Sequence, residues 1–133
     1  MDGEWVDWLL ALSGMGCLTA AIAHSALGQR LFVRPIIARM DWSRVPLPGG
    51  FARRTVWLAW HVTSVMWAGA AAVLVAPVVG LDGVLPAYVV EAATFGVAFL
   101  MAGFGTRWRH RAWPIFALIA IALGAAATLS AVQ

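Results

Sequence analysis

The sequence predicts an all-α integral membrane protein: a four-helix bundle with both termini outside and two arginine-rich loops in the cytoplasm. Three observations carry that expectation. Of the 133 residues, 62% are hydrophobic and only 11% are charged, against roughly 25% charged in an ordinary soluble domain. Four apolar stretches reach the length of about 20 residues that crosses a hydrocarbon core. All nine basic residues are arginine, and they fall between those stretches in two groups.

The stretches are Trp8–Gly28, Thr55–Pro77, Val84–Phe104 and Trp113–Ser130. In lipid the backbone must satisfy its own polar groups, so each reads as a helix. A membrane barrel would alternate apolar and polar residues, and none of the four does. Mean hydropathy over the whole chain is +0.85. A soluble chain of this length still needs a polar surface, and the composition cannot supply one. The spans form a single transmembrane domain over residues 1–133, with no internal repeat.

Direction follows from arginine. Residues 29–54 carry Arg30, Arg34, Arg39, Arg44, Arg53 and Arg54, and residues 105–111 carry Arg107, Arg109 and Arg111. The other connection and both tails carry none, which places the two arginine segments in the cytoplasm by the positive-inside rule. The acidic Asp2, Glu4, Asp7 and Asp82 then lie outside, and Asp41 shares the arginine side. Trp5 and Trp8 mark the outer border of the first span, and Trp57, Trp60, Trp108 and Trp113 the inner borders of the others. The expected location is a bacterial inner membrane, crossed several times. The lysine-free, Ala/Gly/Val-rich usage agrees with a GC-rich bacterial genome.

A net charge of +3 and a pI near 10.5 would suggest nucleic acid if taken alone. The juxtamembrane placement argues for membrane lipid instead: Arg30, Arg34, Arg39, Arg53, Arg54, Arg107, Arg109 and Arg111 are the candidate headgroup contacts. No nucleic-acid partner is expected. A second membrane protein or a second copy of the chain is. The first connection mixes apolar and arginine residues over Arg30–Met40, which predicts an interfacial helix or elbow. Asp41 to Arg44 offers a cap or turn, and Pro46, Pro48, Gly49 and Gly50 a break before the second span. The acidic start, Asp2 and Glu4, lacks the basic region of a cleavable signal, so the first span is expected to stay as an anchor. Cys17, the one cysteine, reads as a small packing residue. Gly14, Gly16, Ala20, Ala21, Ala68, Gly69, Ala72, Gly124, Ala125 and Ala126 would let helix backbones approach closely.

Polar groups within a membrane are costly, so each is a candidate for function. His24 and Ser25 lie near the inner end of the first span, and His61, Thr63 and Ser64 near the inner end of the second. At about 1.5 Å rise per residue, His24 and His61 lie roughly 6 and 9 Å inside the border. Two antiparallel helices therefore bring the imidazoles to one level. A facing histidine pair can hold haem b or a transition metal. Ala20 and Gly28 around His24, and Ala68 and Gly69 beyond His61, would leave room for a haem plane. The same pair can also hydrogen-bond Ser25, Ser64 or a carbonyl and staple the helices. His110 would be a third ligand only if its loop folded inward. Glu91, in the outer half of the third span, reads as a packing, snorkelling or proton-carrying carboxyl separate from the histidine level. No phosphate loop, zinc-protease helix, serine-hydrolase elbow or paired carboxylate is present.

The run His61, Val62, Thr63, Ser64, Val65, Met66, Trp67, Ala68, Gly69 resembles a helix start found in copper-resistance-type membrane domains and in the membrane-bound protoporphyrinogen oxidase family. The resemblance implies a haem or metal ligand at His61. Five residues rather than six separate His61 from Trp67, which turns Trp67 by about 100° from the face the family uses. Ala23 to Gly28, with the arginine and proline downstream, is similar to uncharacterised bacterial four-helix membrane proteins, a likeness that implies no activity.

The reading that follows is a non-catalytic accessory bundle that binds a partner, lipid or both. A haem- or metal-binding redox protein using His24 and His61 is the alternative, and a small oligomeric transporter or channel using Glu91 a further one.

Overall fold

The computed structural model describes residues 2–132 and is all-helical over them. Helix α1 (Asp2–Ala23) continues through a π-helical stretch, His24–Val33, into the short α2 (Arg34–Arg39). Helices α3 (Gly49–Val75), α4 (Val84–Thr106) and α5 (Trp113–Ser130) follow. Among the described residues, four helical runs are long and apolar enough to cross a membrane: Glu4–Arg39, Gly49–Val75, Val84–Thr106 and Trp113–Ser130.

The helices reach beyond the apolar stretches at the arginine end. The first span was expected to stop at Gly28, with a separate interfacial helix over 30–40. The helix instead runs on to Arg39, through the π stretch and into α2 with Pro35 at its start. The second span was expected from Thr55, yet α3 begins at Gly49. Arg53 and Arg54 are therefore helical residues, and the arginine-bearing connection is mostly helix. Helix α5 coincides with the fourth apolar stretch.

The connection between α2 and α3 is a built elbow. Asp41 caps a single 3-10 turn over Trp42–Arg44: its carboxylate accepts from the Ser43 N–H (3.1 Å) and the Ser43 hydroxyl (2.6 Å). Arg44 pairs with the same carboxylate at 3.0 Å. Trp42 is buried; its indole N–H donates to the Ile37 carbonyl at 2.9 Å and so ties the elbow to the end of α2. The Arg53 guanidinium lies 5.7 Å over the Trp42 ring, a cation–π contact that fixes the start of α3.

The long helices pack in chain order: α1 on α3, α3 on α4, and α4 on α5. Among the described residues, the two end helices, α1 and α5, each pack on one long neighbour, so the four form an open row rather than a closed square. Small residues make the contacts. A side chain at Gly14 would strike Val75, and one at Gly69 would strike Thr94. Ala98 and Ala102 of α4 are fully buried. The faces left over carry large apolar side chains, Leu12, Met15 and Ile22 on α1 and Ile115, Leu118 and Ile121 on α5, all at least half exposed.

The α4–α5 hairpin is tight. Arg107 (φ 54°) and Trp108 (φ 61°) are both left-handed, a conformation that costs a non-glycine residue about 1–2 kcal/mol. It folds Trp108 back onto Gly103, a site with no room for a Cβ. There the Trp108 ring meets Phe104 and Trp113 edge-on, each with centroids 5.3 Å away. Thr106 is buried beneath; its hydroxyl donates to the Ala102 carbonyl and accepts the His110 N–H.

Candidate functional site

His24 and His61 are on neighbouring helices, and the structure brings both into one polar cluster. They do not bond each other. The bonds cross between the helices. His24 Nδ1 is 3.0 Å from the Ser64 hydroxyl of α3, and His61 Nδ1 is 2.9 Å from the Ser25 hydroxyl of the π stretch. The two hydroxyls are 2.9 Å apart. His61 Nε2 lies 3.1 Å from Gln29 Oε1. The result is one continuous chain: His24, Ser64, Ser25, His61, Gln29.

The π stretch places its members. In π geometry the backbone ladder joins residues five apart, so Gln29 returns to the face of His24 and reaches His61. Trp60 supports the widened turn. Its indole N–H donates to the His24 carbonyl at 2.9 Å, and its ring fills the space over Gly28. The His24 imidazole stacks on the same ring, with centroids 4.1 Å apart and planes 6° from parallel. Trp67 meets His24 edge-on at 5.2 Å, and Trp57 tilts against His61 at 4.6 Å. Three tryptophans thus hold two imidazoles.

Hydrogen-bond bookkeeping constrains the chain. A neutral imidazole has one N–H and one bare nitrogen, whereas a hydroxyl gives one proton and can accept. With the Ser25 hydroxyl donating to Ser64, Ser64 donates to a bare His24 Nδ1, Ser25 accepts from the His61 Nδ1–H, and His61 Nε2 accepts from a Gln29 amide turned to offer its NH₂. Reversing every bond puts the proton on His61 Nε2, facing Gln29 Oε1. The whole chain therefore has two consistent polarities, selected together by one amide. Each satisfies both serine hydroxyls and both ring nitrogens of His61, as their half-buried setting demands.

Of the four small residues expected to admit a haem plane, the two glycines are already covered, whereas Ala68 lines the cleft beside His61. Gly28 is covered by Trp60 and Gly69 by Thr94. A metal bridging the two imidazoles would have to displace Ser25, Ser64 or Gln29 from the ring nitrogens. His110 is elsewhere: its Nδ1 accepts the Ala112 N–H at 3.1 Å, and its ring lies 6.2 Å from Phe51. It does not join the histidine cluster, and the described residues hold no group of three or more His, Cys, Asp or Glu placed for a metal. Glu91, half-buried on α4, is not among the residues that line the cleft beside the histidines.

That cleft, about 400 Å³, runs between α1, α3 and α4. Its walls are mostly apolar (Leu18, Ile22, Val65, Met101), and Ser25, His61 and Ser64 form its polar strip. At the end of the molecule beyond it, the two arginine segments meet. Arg54 of α3 lines the same cavity as Arg107 and Arg109 of the hairpin.

The serine partners were legible in the sequence, although as neighbours in general rather than as a crossed pair. Gln29 and Trp60 were not assigned to the cluster. Gln29 lies four residues after Ser25, on the same face of a helix, so the spacing offered it as a second partner of His61; it was placed in the connection instead. No protein-family model, curated protein or solved structure matches this chain.

Proposed function

We propose that the chain is a multi-pass protein of a bacterial inner membrane, with both arginine segments in the cytoplasm and both termini outside. It acts as a non-catalytic accessory subunit that binds another membrane protein, a second copy of itself, or lipid along its uncovered helix faces. The open row of helices carries this reading. α1 and α5 each pack on one long neighbour and present rows of large apolar side chains, with Trp8 72% and Ile121 70% exposed. A helix that packs on one side only is suited to receive another helix on the other. The polar cluster supports a structural role, because its hydrogen bonds close on one another across α1 and α3. The meeting of Arg54 with Arg107 and Arg109 supports the orientation, since both arginine segments lie at one end.

Two measurements test the proposal. Photo-crosslinkers placed at Leu12 and Leu118, in cells, are expected to give discrete protein adducts that survive purification in mild detergent. A clean monomer without adducts, showing turnover of a substrate, would overturn the accessory role. Alkaline phosphatase fused after residue 133 is expected to be active. Inactive fusions there, with active ones in the 107–111 hairpin, would turn the topology over.

A further inference from the structure

The cavity at the arginine end has three cationic walls. Arg54 comes from α3, and Arg107 and Arg109 come from the α4–α5 hairpin, about fifty residues away in the chain; Pro48, Gly50, Phe51 and Thr106 complete a space of about 190 Å³. None of the three guanidinium groups is paired with an acid among the described residues. The one ion pair there, Arg44 with Asp41, lies in the elbow. Like charges gathered around one small space repel each other, and Arg54 is half-buried, where solvent screens less. The hairpin brings Arg107 and Arg109 to this place through two left-handed residues that close the end of α4, their N–H groups bonded back to helix carbonyls. The repulsion among the three arginines is offset if something negative binds there. The start of α3 adds to the attraction. Pro48 is its N-cap and supplies no side-chain acceptor, so first-turn N–H groups at Gly49 and Gly50 have no cap.

We propose that this cavity is a phosphate site. Guanidinium groups bind phosphate through paired, charge-assisted hydrogen bonds, and three of them approaching from two segments suit a tetrahedral anion with several oxygens. The phosphate comes either from the headgroup of an anionic phospholipid or from a soluble phosphate ester. The surroundings favour the lipid. Phe104 and Trp108, beside the hairpin arginines, are 69% and 45% exposed and offer an apolar wall along which an acyl chain can lie. This deepens the lipid-binding part of the proposed function and rests on that reading. Its test is separable, because the crosslinking experiment probes α1 and α5 and not this cavity.

The experiment uses the full chain in a neutral detergent, with phosphatidylglycerol titrated in and bound lipid counted by native mass spectrometry. Phosphatidylcholine, whose headgroup phosphate is offset by a quaternary ammonium, is the net-neutral control. Arg54→Gln, Arg107→Gln and Arg109→Gln are each expected to weaken phosphatidylglycerol binding about tenfold, the scale of one charge-assisted contact. Arg44→Gln removes the same charge in the elbow, away from the cavity, and is expected to change it less than about twofold. Gly50 has open space around it, so Gly50→Glu puts a carboxylate at the cavity in the first turn of α3, where a helix favours one. That variant keeps the fold and is expected to abolish binding, which guards against an arginine variant that merely unfolds. Glycerol 3-phosphate is then added as competitor. Displacement of the lipid assigns the site to soluble phosphate esters, and lack of displacement assigns it to the membrane. Equal losses in the cavity and control variants would overturn the site in favour of diffuse surface charge. So would binding of phosphatidylglycerol no tighter than phosphatidylcholine together with no binding of glycerol 3-phosphate.

Discussion

Removing the two serines one at a time and together measures whether the polar cluster is a connected chain. Ser64 bonds His24 and Ser25, whereas Ser25 bonds His61 and Ser64. An interhelical hydrogen bond in lipid contributes about 0.6 kcal/mol on average and about 1.7 kcal/mol at most. Ser64→Ala then loses two bonds, about 1.2 kcal/mol, and Ser25→Ala the same amount. The double variant loses three bonds rather than four, because the serine–serine bond is shared. Its cost is about 1.8 kcal/mol instead of the additive 2.4, which leaves a coupling of about 0.6 kcal/mol. Half-buried imidazoles left without a partner regain some water, which keeps the single costs near these values. Thr63→Ala is the control. Its hydroxyl is exposed and donates to the Ala59 carbonyl of its own helix at 3.0 Å, so removing it should leave the α1–α3 contact unchanged. Steric trapping of the folded state in bicelles reads all four stabilities. Additivity of the two serine substitutions, or a Ser64→Ala variant as stable as the parent, would refute the chain.

Two further expectations follow from contacts outside that chain. Gly28→Ala places a methyl group into the Trp60 indole and should cost about 1–3 kcal/mol, the range for overpacking; trapping that shows no loss would mean Trp60 does not sit on Gly28. The Asp41 carboxyl is held below the usual carboxylate range, first by the Ser43 hydroxyl and then by the Ser43 N–H, with Arg44 adding to it. A carboxyl with a depressed folded value contributes stability that is complete above its unfolded value of about 3.9 and is lost as pH falls through the folded one. The Ser43 amide resonance should therefore stay constant from neutral pH down to about 4 and move only below it, whereas Asp41→Asn should remove that transition. A Ser43 shift that titrates near neutrality would contradict the cap.

Much of the architecture was legible because lipid leaves the chain few choices. Length and apolar content point to four helices, and α5 has the bounds of the fourth apolar stretch. The boundaries at the arginine end were not legible. Arginine and polar residues signal exit from the hydrocarbon, and they say nothing of whether a helix also stops. Helix α1 leaves the apolar zone near Gly28 yet stays helical to Arg39, and α3 is already helical at Arg53 and Arg54 before its apolar part begins. The histidine level was legible from counting residues, and so were Ser25 and Ser64 as partners. The crossing of those bonds depends on helix rotation, which apolar residues on every face do not specify. Gln29 sits one turn after Ser25 on the same face, and it was missed because the span was read as ending at Gly28.

The placement of polar and small residues divides the first interface by depth. At the arginine end, α1 and α3 are joined by directional bonds: the serine–histidine chain and the Trp60 bond to the His24 carbonyl. At the opposite end they are joined by close approach alone, with Gly14 against Val75 and the Ala71 carbonyl. Hydrogen bonds fix rotation and register, whereas contact between small residues tolerates sliding. The last interface has no such device. α5 meets α4 through aromatic contacts, Phe95 with Phe116 at 6.2 Å and Phe99 with Trp113 at 6.2 Å, and none of its side chains hydrogen-bonds another helix among the described residues. α5 is held instead by the most extensive of the helix–helix contacts and by the tight hairpin that joins it to α4. A partner that docks on α5 therefore meets a helix held by packing, and one that docks on α1 meets a helix held by directional bonds.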